Sequence, residues 1–98
     1  ALFAAATFTG SGRIPLNLFT RFCVRATSDQ SGTAHIEQSL DGGASYYVIA
    51  TQAVTGGTSV EFSASVTGAA SGANLFRVRY VNGGVNQTTF RLTSAFLA

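Results

Sequence analysis

Apolar and polar residues take turns from Thr20 to Thr27, where Phe22, Val24 and Ala26 fall on one side and Arg21, Cys23 and Arg25 on the other. Successive side chains of a β-strand point to opposite faces, whereas a helix gathers every third or fourth residue, so a period of two commits this stretch to a half-buried strand. The pattern recurs along the chain. Ala34 and Ile36 alternate with His35 and Glu37; Val60, Phe62, Ala64 and Val66 alternate with Glu61, Ser63 and Ser65. Phe76, Val78 and Tyr80 alternate with Arg77 and Arg79, and Phe90 and Leu92 flank Arg91. The apolar run Tyr46–Val54 and the short Ala4–Thr9 segment complete seven candidate strands, and helical spacing is sustained nowhere.

Glycine separates these runs. SLDGGAS, with Asp41 beside two glycines, is a hairpin signal because Asp-Gly and Gly-Gly tolerate the positive φ of tight turns; TGGT and NGGVN end two further runs. Short alternating strands at regular spacing predict an all-β fold, an antiparallel two-sheet sandwich of about seven strands with immunoglobulin-like arrangement; a jelly roll is the alternative. The disulfide and core tryptophan of antibody domains are absent, so the likeness concerns architecture alone. One domain fits the length, and folding such a chain buries about 60–70% of its extended surface. Residues 1–12 read as an apolar N-terminal arm or edge strand and residues 13–98 as the sandwich.

The exterior of such a sandwich is unusual. Charged residues make up only 10% of the chain, while serine and threonine number 22, so the outer faces carry mostly hydroxyls. A hydroxyl costs far less to desolvate than a charge, which suits a surface that another molecule covers. Net charge is +2, from six arginines and no lysine against Asp29, Glu37, Asp41 and Glu61. That is too weak and too scattered for a nucleic-acid partner, which needs a clustered basic face. Cys23 is alone, so no internal disulfide forms. ALFAAATF lacks a basic n-region and no apolar run approaches the ~20 residues of a membrane helix, so membrane insertion is not expected. A methionine-free chain beginning at Ala1 reads as one whose initiator has been trimmed, with synthesis in a cytoplasm.

Reactive groups are few. His35 and Glu37 share a strand face, but a flat outer sheet offers no water-excluding pocket for acid–base work. Cys23 lies between Arg21 and Arg25 without a histidine at a suggestive spacing, and Asp29 and Asp41 sit in separate loops without the dense acidic pattern of a calcium site. No catalytic residue, metal or cofactor is expected.

The arginines are better explained by partners across strands. In an immunoglobulin-like topology the second and fifth strands are neighbours, which places Glu61 near Arg21 or Arg25. The third, sixth and seventh lie together in the other sheet, which places Glu37 near Arg77 or Arg79 and sets Arg91 beside Arg77 or Arg79 with no acid left for it. Arg91, with one of those neighbours, is therefore expected to meet a carboxylate on another chain. The apolar ends ALFAAATF and TSAFLA add Leu2, Phe3, Phe8, Phe96 and Leu97 to this candidate interface, as an arm laid against a neighbouring subunit or as an ordinary edge strand. Asp41, Tyr46, Tyr47, Asn82 and Asn86 form a second candidate, a sugar site, if the two hairpins carrying them lie together.

Read in order, TSDQSGTAHIEQSLDGGASYYV and FRVRYVNGGVNQTTFRL resemble small immunoglobulin-like β-sandwich domains of tailed-bacteriophage virion proteins, over roughly Ala26 to Leu92. The resemblance implies a non-enzymatic role in the virion, in head decoration, tail or fibre, and carries over no catalytic residue. It implies as partners the major capsid protein or other virion subunits, and further copies of this chain in a homo-oligomer. Members of that group are often modules of longer proteins, and a chain standing alone points to a many-copy head decoration or cement subunit. The alternatives are a tail- or fibre-associated receptor or carbohydrate module touching a host-surface glycan, and a tail-tube or connector component.

Overall fold

The computed structural model describes residues 5–13, 21–66 and 74–97. Seven strands follow in chain order: β1 (Thr7–Thr9), β2 (Arg21–Ser28), β3 (Gly32–Ser39), β4 (Tyr47–Val54), β5 (Ser59–Ser65), β6 (Leu75–Asn82) and β7 (Phe90–Leu97). They form two antiparallel sheets, one in the order β1-β6-β3-β4 and the other in the order β5-β2-β7. The all-β two-sheet sandwich read from alternation is the fold observed.

The alternating apolar residues meet between the sheets. Phe22 and Val24 of β2 pack with Ile36 of β3 and with Phe76 and Val78 of β6; a second cluster joins Ala26, Ala34, Val54 and Tyr80. Phe22, Phe76 and Phe96 form an aromatic group with ring centroids 4.9 to 5.9 Å apart. Burying each such side chain is worth roughly 1.5–3 kcal/mol, so these residues hold the two layers together. The parity rule extends to polar residues, since Gln38 follows Ala34 and Ile36 inward. Its amide donates to Asn74 Oδ1 at 2.7 Å and accepts from the Tyr47 hydroxyl at 3.4 Å.

The N-terminal stretch is, where described, an edge of the same domain. Hydrogen bonds from Ala5 N to Gly83 O, Gly10 N to Val78 O and Arg13 N to Phe76 O carry it along the whole of β6. Leu2 and Phe3 lie outside the described residues. In SLDGGAS, Gly42 and Gly43 adopt φ of 75° and 99°, the left-handed region that the β3–β4 hairpin requires.

One strand departs from expectation. The pairs β2–β5 and β3–β6 form as an immunoglobulin-like order requires, but β7 lies against β2 instead of β6, and β1 takes the place beside β6. The cause is in the connection. NGGVN does not close a hairpin; it crosses to the other sheet, where Gln87 Nε2 donates to Ser28 Oγ at 2.7 Å and the Asp29 carboxylate accepts from the backbone N–H of Thr88 and Thr89 at 3.1 Å. These bonds tie the start of β7 to the end of β2. Gly83 makes the crossing possible: its N–H donates to Ser31 O at 3.0 Å, and a Cβ there would come within 2.5 Å of that oxygen.

Candidate interface on the sheet faces

Each sheet turns one face outward, and the register brings the arginines and acids of each face together. On the three-stranded sheet Arg25 stands opposite Glu61, and its Nε donates to the carboxylate at 3.1 Å. Both side chains are largely exposed. Cys23, Thr93, Ala95 and Leu97 lie on the same face beside this pair and help to line a shallow depression of about 220 Å³.

The outer face of the four-stranded sheet is built differently. Glu37 pairs in register with Arg77, and His35 with Arg79. The Nε atoms of Arg77 and Arg79 each donate to a different oxygen of Glu37, at 2.8 and 2.9 Å. Tyr46 lies flat against Arg77, with the guanidinium carbon 3.6 Å from the ring centroid, a cation–π stack. Covered by these neighbours, the Glu37 side chain is only 7% exposed although it points away from the core. Burial pushes its carboxyl upward, but the hydrogen bonds and charges of Arg79 and Arg77 outweigh this and leave it below its ordinary value. Burial and the nearby Arg79 charge lower His35 below its usual range, and its Nδ1 shares a 3.0 Å hydrogen bond with Thr51 Oγ1.

Of the remaining acids, Asp41 closes its own loop and Asp29 anchors the crossing to β7. The Asp41 carboxylate accepts from the Ser39 and Ser45 hydroxyls and from the Ser45 N–H, which hold its pKa well below the usual carboxylate range. The Thr88 hydroxyl, then the N–H of Thr89, lower Asp29 to about 2. Among the described residues no three His, Cys, Asp or Glu side chains gather as a metal site.

Three expected site assignments change. Arg91 is exposed on β7 opposite Thr27, in the other sheet from Arg77 and Arg79, so it does not share their surroundings. Phe96 turns inward against Phe22 and Phe76 and is a core side chain. The sugar candidates separate: Asp41, Tyr46 and Tyr47 belong to the end of the sandwich where Ser39 pairs with Leu75, and Asn82 and Asn86 to the end where Gly32 pairs with Asn82. A strand of eight residues spans roughly 25 Å at ~3.3 Å per residue, too far for one small sugar. The face of Tyr46 is occupied by Arg77, and Asn82 Nδ2 donates to Val85 O at 2.8 Å.

Phe8 and Leu97 remain exposed, Phe8 edge-on to Phe90 at 6.3 Å. Arg13 was not singled out by its sequence setting, yet it spans the open flank between β1 and β7 and donates to Ser94 O at 3.0 Å.

The fold and its faces define a two-sheet β domain in which, among the described residues, the ion pairs lie on the outer sheet faces. The chain belongs to the family described as uncharacterised protein YqxG N-terminal domain, whose model matches residues 1–97. It is similar to a solved structure described as the crystal structure of PBSX exported protein XepA, with 25% identity and a TM-score of 0.84 over 99% of this chain and 34% of that one. The chain thus spans about a third of that protein, where the similar domain is one part of a longer chain. No curated protein matches the chain.

Proposed function

We propose that this domain is a non-enzymatic structural component of a phage particle, acting through contacts of its sheet faces with other proteins. The observation that carries the reading is the likeness to PBSX exported protein XepA across nearly the whole chain, which we take as a phage-related relative. The resemblance of Ala26–Leu92 to phage virion sandwiches points the same way. A non-enzymatic role is supported by the use of the acids: Glu37 and Glu61 hold arginines, and Asp29 and Asp41 hold loops.

Of the finer roles, head decoration draws on the low-charge, hydroxyl-rich faces, where many weak contacts add by repetition. The second reading, a tail or host-surface module, is favoured by the description of the relative as exported. Quantitative mass spectrometry of purified particles, with this chain counted against the major capsid protein, separates them. Hundreds of copies support decoration and a handful support the tail or fibre; absence from the particle overturns the virion role.

A further inference from the structure

We propose that Arg77 and Arg79 together form a docking point for a carboxylate side chain of a partner protein on the outer face of the four-stranded sheet. The inference rests on this face alone and holds whether the domain belongs to a head, a tail or neither.

Each guanidinium gives its Nε–H to Glu37, and each oxygen of Glu37 takes one of them. That arrangement leaves the Nη groups of both arginines without a hydrogen-bond acceptor among the described residues. Two cations face one anion, so the cluster carries a net charge of +1. The chain has no described acid left to balance it, because Glu61 pairs with Arg25 on the other sheet and Asp29 and Asp41 are held in their loops. A carboxylate from another molecule would complement it.

The arginines are also held ready. Glu37 orients both, Tyr46 supports Arg77 from its flat side, and their side chains are 24% and 28% exposed, reachable but already partly stripped of water. Guanidinium groups whose rotamers are set in advance lose little entropy when they accept a carboxylate, and their planar forks match its two oxygens. By register the neighbours on this face include Thr9, opposite Arg79, and Thr51, opposite His35, whose hydroxyls cost far less to desolvate than a charge. Covering them costs little.

The surface favours a protein over a free sugar acid or phosphate. Small ligands bind in concavities, and none of the three described cavities is lined by Arg77, Arg79 or Glu37. One face of the Tyr46 ring, which a sugar could otherwise use, is covered by Arg77. A flat, weakly charged sheet with one cationic point suits an acidic residue carried on another protein surface.

The test follows the arginine Nε–Hε NMR resonances of the intact domain during titration with a blocked peptide, Gly-Ser-Asp-Ser-Gly, its Asn counterpart, D-glucuronate and inorganic phosphate at matched ionic strength. The expected result is saturable shifts of Arg77 and Arg79 with the Asp peptide, none with the Asn peptide, and no change at Arg91. Arg79→Lys, which keeps the charge but loses the fork, should weaken the Asp peptide at least tenfold. Should that variant unfold, the comparison of Asp and Asn peptides on the unaltered chain decides the matter alone. The proposal is overturned if the two peptides act alike, or if glucuronate or phosphate saturates the same resonances at lower concentration than the Asp peptide.

Discussion

Each outer face sets a glutamate against arginine on a neighbouring strand, yet the two faces treat their acids in opposite ways. On the three-stranded sheet Glu61 meets Arg25 in the open, with side chains 58% and 66% exposed. On the four-stranded sheet Glu37 is covered by two arginines and a tyrosine and is 7% exposed. Water screens the first pair, so it contributes little to stability; removal of one partner from the second leaves cations that have already lost much of their hydration. Burial, not the count of ion pairs, separates structural charges from surface ones.

The sharpest way to break this contrast is Glu37→Ala. It leaves Arg77 and Arg79 side by side without an acceptor, and destabilisation of about 2–3 kcal/mol is expected, below the full cost of orphaning buried charges because both arginines keep some water. Urea denaturation measures it. A loss no larger than that of Glu61→Ala would erase the distinction between the faces.

Acid titration probes the same group. A carboxylate whose folded pKa lies below its unfolded value stabilises the fold above the unfolded value, and this stabilisation is lost as pH falls through the folded one. Glu37 is lowered from 4.5, Asp29 from 3.8 to about 2, and Asp41 from 3.8. Stability should therefore decline from about pH 4.5 downward and continue to decline to about pH 2. In Glu37→Gln the upper part of that decline should flatten while the part due to the loop aspartates persists. An unchanged acid profile would mean that Glu37 is no more perturbed than an exposed glutamate.

Arg79→Ala is the next step down. Glu37 keeps Arg77, so the expected cost is about 1–2 kcal/mol by denaturation. Tyr46→Leu removes the stacking support of Arg77 and should cost about 0.5–1 kcal/mol, with greater mobility of the Arg77 side chain in relaxation measurements. Arg25→Ala, on the open face, should change stability by less than about 1 kcal/mol, and added salt should reduce even that.

Much of this was legible in the chain. Parity placed Phe22, Val24, Phe76 and Tyr80 inward, and the pairing of Glu61 with Arg25 and of Glu37 with Arg77 and Arg79 follows once the second and fifth and the third and sixth strands are set together. The burial of Gln38 was also readable, since it falls in the same phase as Ala34 and Ile36. Less visible was the bulge between Ile36 and Glu37, which shifts the β3–β4 register so that Glu37 stands opposite Val48. Nothing in the alternation marks where one strand gains a residue against its partner. The stack of Tyr46 on Arg77 was hidden for a similar reason, because Tyr46 lies just before β4 begins.

Local physics thus determines which residues are strands, which way each side chain points and where the chain turns, because backbone sterics and the period of two act over a few residues. The tertiary structure alone decided that β7 lies beside β2, and with it the separation of Arg91 from the Arg77–Arg79 pair. Residues 83–89 reach either sheet, and the entropy of closing a loop changes so slowly with length that it does not choose between them. The choice falls to contacts made only at the destination, where Gln87 meets Ser28 and Asp29 meets Thr88 and Thr89.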